Sequence, residues 1–164
     1  MGTLKTRLFG EVVVTRGGAF LERKRSATGR TLTPSLYVGE GLDRVPLEGA
    51  AVLLDDMRSL EARAREAIRQ DFGRGAQGVV AAFVAFHLDE LDAAVVRRLF
   101  GDGGVESAAA ALTRLELVGL AVHAEKTAGF SVVFDFSFGP EHTDELLAVA
   151  FRADGQVLGV RHES

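Results

Sequence analysis

The C-terminal part of the chain alternates apolar and polar residues with a period of two, and this pattern restricts the fold more than any other feature. In the stretch Gly129-Phe-Ser-Val-Val-Phe-Asp-Phe-Ser-Phe-Gly139, Val132, Phe134, Phe136 and Phe138 fall on one face of a strand. Ser131, Asp135 and Ser137 share the other face with Val133. Thr143–Arg152 and Gln156–Ser164 flank Asp154-Gly155, a turn dipeptide, and predict a hairpin. Read as a two-residue turn, Asp154-Gly155 pairs Ala153 with Gln156. Phe151 then faces Leu158, Val149 faces Val160, and Leu147 faces His162, with all six side chains on one side of the sheet. A slip of one residue would turn that apolar set into water, so the pattern defines the register.

Upstream, Leu8–Thr15 is β-branched and reads as a strand, Gly17-Gly18 as a turn, and Ala19–Arg25 as the returning arm of a hairpin. Thr31–Glu40 is a further strand, which Pro34 places at a sheet edge because it has no N–H to donate. The longest helical pattern runs from Glu48 to Phe72, with Leu53, Met57, Leu60, Ala64 and Ile68 as its apolar stripe. Arg58, Glu61, Arg65, Glu66 and Arg69 lie off the stripe and can pair locally, and Gly73 ends the helix. Periodicity leaves Val79–Phe86 open between helix and buried strand, and its alanines favour helix. Asp92 is placed to cap Ala93–Phe100, with Gly101 just past its end, and the alanine run predicts a helix over Val105–Leu115. Val118–Ala124 is a candidate strand.

Strands, then helices, then strands define an α+β fold: an antiparallel sheet with a C-terminal meander and helices packed on one face. A chain of 164 residues fits a single domain over 1–164. Its parts are N-terminal strands (1–40), a helical segment (47–115) and C-terminal antiparallel strands (117–164).

Composition removes several kinds of chemistry. With no Cys, the chain has no disulfide, thiolate ligand or Cys nucleophile. Its net charge of −4 exerts no general pull on nucleic acid. The first 30 residues are nonetheless basic, and Arg23-Lys24-Arg25 is their densest run. It reads as a solvated hairpin edge, since no aromatic residues interleave with it as single-strand binding needs. The start of the chain lacks the apolar core of a signal peptide, and the run from Gly78 to Phe86 is too short to span a bilayer. The expectation is a soluble cytoplasmic protein that does not enter membranes. Its Ala-, Arg- and Gly-rich composition fits a high-GC bacterial source.

Motifs for catalysis are sparse. Gly73-Arg-Gly-Ala-Gln-Gly78 matches G-x-G-x-x-G, but it follows a predicted helix, whereas a dinucleotide site needs a strand there. It reads as a helix cap plus loop, and no cofactor is assigned. His87 and Glu90 share a helix face, and His123, His142 and His162 lie in or near the C-terminal strands, but no spacing is diagnostic of a metal site and none is assigned. Asp135, between Phe134 and Phe136, is either a surface charge, an anchor for the following loop or a catalytic carboxylate. Asp144 and Glu145 are expected to accept backbone N–H bonds in the turn. His162, Glu163 and Ser164 are triad residue types, but neighbours on a strand point to opposite faces and cannot form a relay.

Residues 130–164 resemble the C-terminal half of a bacterial domain-of-unknown-function family, number two thousand and four in its series. The resemblance is carried by Val133-Phe-Asp-Phe136, Gly139 with Thr143-Asp-Glu-Leu-Leu147, Asp154-Gly-Gln-Val157 and the closing His162-Glu-Ser164. Phe86-His-Leu-Asp-Glu-Leu91 and Leu99-Phe-Gly101 are similar to the family's middle, more weakly, over residues 80–128. Phe136 stands where the family usually has Tyr. The resemblance implies a small soluble bacterial protein and transfers no activity. Asp135, Thr143, Asp144, Glu145 and Glu163 all fall in the matching segments, which makes them a candidate cluster with one shared task.

Three functional readings follow, the last of them nucleic-acid binding through the basic residues 5–30. The first is a non-enzymatic interaction or regulatory module, of the kind that acts as an immunity protein, with another protein as its partner. The second is a small carboxylate- or metal-dependent enzyme using Asp135, Asp144 and Glu145 with His87 or His162.

Overall fold

The computed structural model describes residues 2–7, 9–14, 19–22, 25–27, 30–32, 35–38, 53, 55–101, 105–125 and 129–164. Strands β1 (Gly2–Thr6), β2 (Gly10–Val14), β3 (Ala19–Glu22), β4 (Arg25–Ala27), β5 (Arg30–Leu32) and β6 (Ser35–Val38) come first. Helices α1 (Met57–Phe72), α2 (Val79–Glu90), α3 (Ala93–Phe100) and α4 (Val105–Leu112) follow. Strands β7 (Glu116–Glu125), β8 (Gly129–Ser137), β9 (Leu146–Arg152) and β10 (Val157–Glu163) close the chain.

Among the described residues, the main sheet has six strands in the order β10-β9-β8-β7-β6-β3. From β7 to β10 it is an antiparallel meander, as the alternation predicts. On β8, Phe130, Val132, Phe134 and Phe136 are buried on the helix side, while Ser131, Val133 and Asp135 on the other face are half-buried. Burial of each large ring contributes about 1.5–3 kcal/mol.

Helix α1 buries Leu60, Ala64 and Ile68, the centre of its predicted stripe. It lies across β8 and β9: the Arg65 guanidinium carbon is 5.1 Å from the Phe136 ring centroid, and that of Arg63 is 5.8 Å from the Phe151 ring. The off-stripe charges pair locally, Arg65 with Glu61 at 2.8 Å and Arg69 with Glu66 at 2.5 Å. Val79–Glu90 is a helix, and its Phe83 ring meets His162 of β10 edge-on at 5.1 Å.

Several expectations need correction. The strand at Ala19–Glu22 does not fold back on β2. Instead β2 pairs with β1, and β3 pairs with β6. The Gly17-Gly18 turn lies outside the described residues, as do Pro34 and residues 48–52. Strand β6 starts at Ser35, after the proline; it is interior to the sheet and runs parallel to β7. The sheet therefore contains one parallel pair, with the helical segment serving as the crossover that such a pair requires. The last helix ends at Leu112, short of Leu115, and Thr113 Oγ1 donates to the Ala110 carbonyl at 2.6 Å where it stops. Asp92 is the N-cap of α3 by position, but its side chain makes no capping hydrogen bond.

The terminal hairpin holds the most instructive difference. Arg152 N–H donates to the Gln156 carbonyl at 2.8 Å, and Gly155 N–H donates to that of Arg152 at 2.9 Å. The loop is thus three residues, Ala153–Gly155, with Gly155 at φ +77°. This sets Phe151 opposite Val157, one place off the predicted register. A bulge at Leu158 then restores it, so Val149 faces Val160 and Leu147 faces His162 as expected. The price is Leu158, which is 55% exposed where the sequence pattern buries it.

Candidate functional site

The sheet's alternation divides the predicted residues between two faces. Asp135 projects away from the helices, opposite Gly119 on β7 and Ala148 on β9. A Cβ at residue 119 would lie 2.5 Å from Asp135 Oδ2, so the glycine makes room for the carboxyl group. Burial pushes the Asp135 pKa above the usual carboxylate range; Glu163 adds to the shift and His123 opposes it. His123 itself stacks on Tyr37, with ring centroids 5.0 Å apart.

Thr143, Asp144 and Glu145 lead into β9. Thr143 Oγ1 accepts the Glu145 N–H at 3.1 Å, which fixes the turn, and Asp144 is exposed. The Glu145 carboxylate departs from the expected turn role. It reaches the helix side, where Oε2 lies 2.5 Å from His162 Nε2. His87, on α2, is fully buried and donates from Nδ1 to the Phe83 carbonyl at 2.7 Å, as a helix-end histidine should. Its ring packs among Phe83, Phe86 and Phe138, at centroid distances of 4.3, 5.5 and 5.2 Å.

The candidate cluster therefore does not converge. Asp135 and Glu163 lie on one face, Glu145 joins His162 on the other, Asp144 faces solvent, and Thr143 shapes a turn. Asp135, Asp144 and Glu145 do not surround one cleft. Among the described residues, no three of His, Asp and Glu are grouped to hold a metal ion. Of the basic run, Arg23 and Lys24 lie outside the described residues.

The Gly73–Gly78 stretch is a helix end followed by a short 3₁₀ turn (Gly75–Gln77) that leads into α2. Asp71 Oδ2 accepts the Val80 N–H at 2.8 Å, which satisfies one of the free donors at the start of α2. A side chain at residue 78 forces the backbone to shift, because its Cβ would lie 2.2 Å from the Asp71 carbonyl oxygen.

Sequence reasoning missed the groove between α1 and β10. Its volume is about 400 Å³, and it is lined by Arg63, Glu66, Ala67, Gln70, Asp71 and Arg74 from the helix side and by Val157, Gly159 and Val160 from the strand. Strand β10 is an edge of the main sheet. Val157 and Leu158 stand exposed at its start. Arg63 is tied to the Gly155 carbonyl, and Arg74 to Asp71 at 3.3 Å, so the arginines that line the groove are anchored. Gly159, within the apolar run Val157-Leu-Gly-Val160, is the one sequence signal that points here, because glycine inside a strand marks a bulge or a close approach of another backbone.

No helix among the described residues is long and apolar enough to cross a membrane. Comparisons with protein-family models, with curated proteins and with solved structures find no match to this chain.

Proposed function

We propose that this protein is a non-enzymatic interaction module that binds an extended segment of another protein along the outer edge of β10. The observation that carries this reading is a strand edge that pairs with no other strand among the described residues, beside a groove of about 400 Å³. An edge strand offers a row of backbone donors and acceptors, and an added strand satisfies them while its alternate side chains enter neighbouring pockets. The first part of β10 suits this task. Val157 and Leu158 present apolar surface, and a Cβ at Gly159 would touch nothing within 4 Å among the described residues, which leaves room there for another backbone to approach. Further along, the exposed Arg161 and Glu163 discourage pairing of the edge with copies of itself.

A regulatory or immunity-type role in a bacterial cytoplasm is part of this proposal, in keeping with the family resemblance read over residues 130–164. The test is selection of peptides from a random display library on the immobilised full chain. The reading expects enriched peptides rich in β-branched and aromatic residues, with binding lost in Val157→Asp and Leu158→Asp variants that remain folded. Failure to enrich any peptide, or binding indifferent to both substitutions, counts against it.

A further inference from the structure

Among the described residues, two buried side-chain polar atoms lack a hydrogen-bond partner: Nε2 of His87 on α2 and Nε2 of His162 on β10. The two rings share their surroundings. Phe83 packs against both, at 4.3 and 5.1 Å, and so does Phe86, at 5.5 and 5.8 Å. His162 Nε2 lies 2.5 Å from Glu145 Oε2, without hydrogen-bond alignment. A helix and an edge strand thus each present a histidine to the same two phenylalanine rings, and Glu145, from the connection into β9, reaches the second histidine.

We propose that His87, His162 and Glu145 form an acid-released latch that holds β10 against α2. The Phe83 carbonyl fixes the proton of neutral His87 on Nδ1 and leaves a lone pair on Nε2 among phenylalanine rings. Protonation would put an N–H on that nitrogen with no acceptor beside it, and a full charge on a ring with no exposed surface. Neutral His87 therefore favours the closed packing of α2 on β10, and charged His87 opposes it.

The surrounding charges agree with this direction. Burial pushes the His87 pKa below 6.5; the Phe83 carbonyl opposes that shift, His162 on β10 reinforces it, and Glu145 opposes it. His142, in the same connection as Glu145, is engaged by Arg98 of α3 and by Glu141. Arg161 and Glu163 alternate onto the other face of β10. For a histidine whose folded pKa is lowered, stability is fully present above 6.5 and is lost as pH falls through the folded value. The latch therefore holds at neutral pH and releases in acid. It concerns the strand itself and is independent of whether β10 receives a partner.

The test combines imidazole NMR titration with amide hydrogen exchange on the full chain, corrected for the intrinsic pH dependence of exchange. The latch predicts that His87 titrates below 6.5. It also predicts that β10 amides gain about tenfold in exchange relative to β8 amides across that titration, the factor that corresponds to one pKa unit of coupling. In a His87→Phe variant the relative gain disappears. A His87 midpoint at or above 6.5, or β10 and β8 amides responding alike to acid, overturns the proposal, and so does a folded His87→Phe variant that keeps the acid response. Should that variant not fold, the two wild-type measurements decide.

Discussion

Asp71 Oδ2 accepts the N–H of Val80 at 2.8 Å, so the last turn of α1 caps the first turn of α2 across a glycine-rich corner. Both residues are buried, and the bond replaces a cap that no side chain at the N-cap position, Gly78, supplies. Asp71→Ala is expected to cost about 1–2 kcal/mol, in line with the loss of a helix cap. Asp71→Asn, which keeps an acceptor oxygen, is expected to cost less. Gly78→Ala is expected to cost about 1–3 kcal/mol by overpacking, because the atom its Cβ meets is backbone and cannot swing away. Midpoints of urea unfolding for the three variants check the order.

Asp135 makes the opposite kind of prediction. Its folded pKa is raised by burial and by Glu163, so the ionised form is disfavoured in the fold. The contribution of the neutral form is fully present below the unfolded value of 3.8 and is lost as pH rises through the folded value. Asp135→Asn removes that loss. The variant is expected to be more stable than the parent at pH 7 and to lose its advantage below pH 4. Unfolding curves at the two pH values measure it, and equal stability at pH 7 contradicts the assignment.

The bulge in β10 separates two residues that the alternation treats alike. Phe151 is fully buried and Leu158 is 55% exposed. Phe151→Ala is expected to cost about 3–5 kcal/mol, the range for a large core ring. Leu158→Asp is expected to change stability by no more than about 0.5 kcal/mol, as for a surface position. Denaturation midpoints decide, and a severe loss in Leu158→Asp restores the bulge-free register.

This contrast shows what the sequence makes legible. Phe130–Ser137 alternates cleanly, so its buried face is readable, and the pairs Val149–Val160 and Leu147–His162 follow from matching two such faces. Asp154-Gly155 is ambiguous, because the same dipeptide serves a two-residue turn and a three-residue loop in which Gly155 takes positive φ. The pairing of β3 with β6, and of β6 with β7, depends on partners distant in sequence, where local propensity carries no information. The candidate site is harder still. His87 and His162 share aromatic neighbours only because α2 lies over β10, and nothing in their spacing encodes that packing. The split of Asp135 from Glu145 follows from strand alternation at Asp135, but the reach of Glu145 toward the helices is set by the turn at Thr143.

The account rests on β10 as a receptive edge. Its most direct test is a titration of the isotopically labelled full chain with a display-selected peptide, followed by NMR. The account predicts amide shifts centred on Val157–Val160 and on the facing residues from Arg63 in α1 to Arg74 in the turn after it, with new cross-strand contacts from the peptide to β10. Shifts centred on Asp135 and Gly119, on the far face of the sheet, with β10 unmoved, would contradict it.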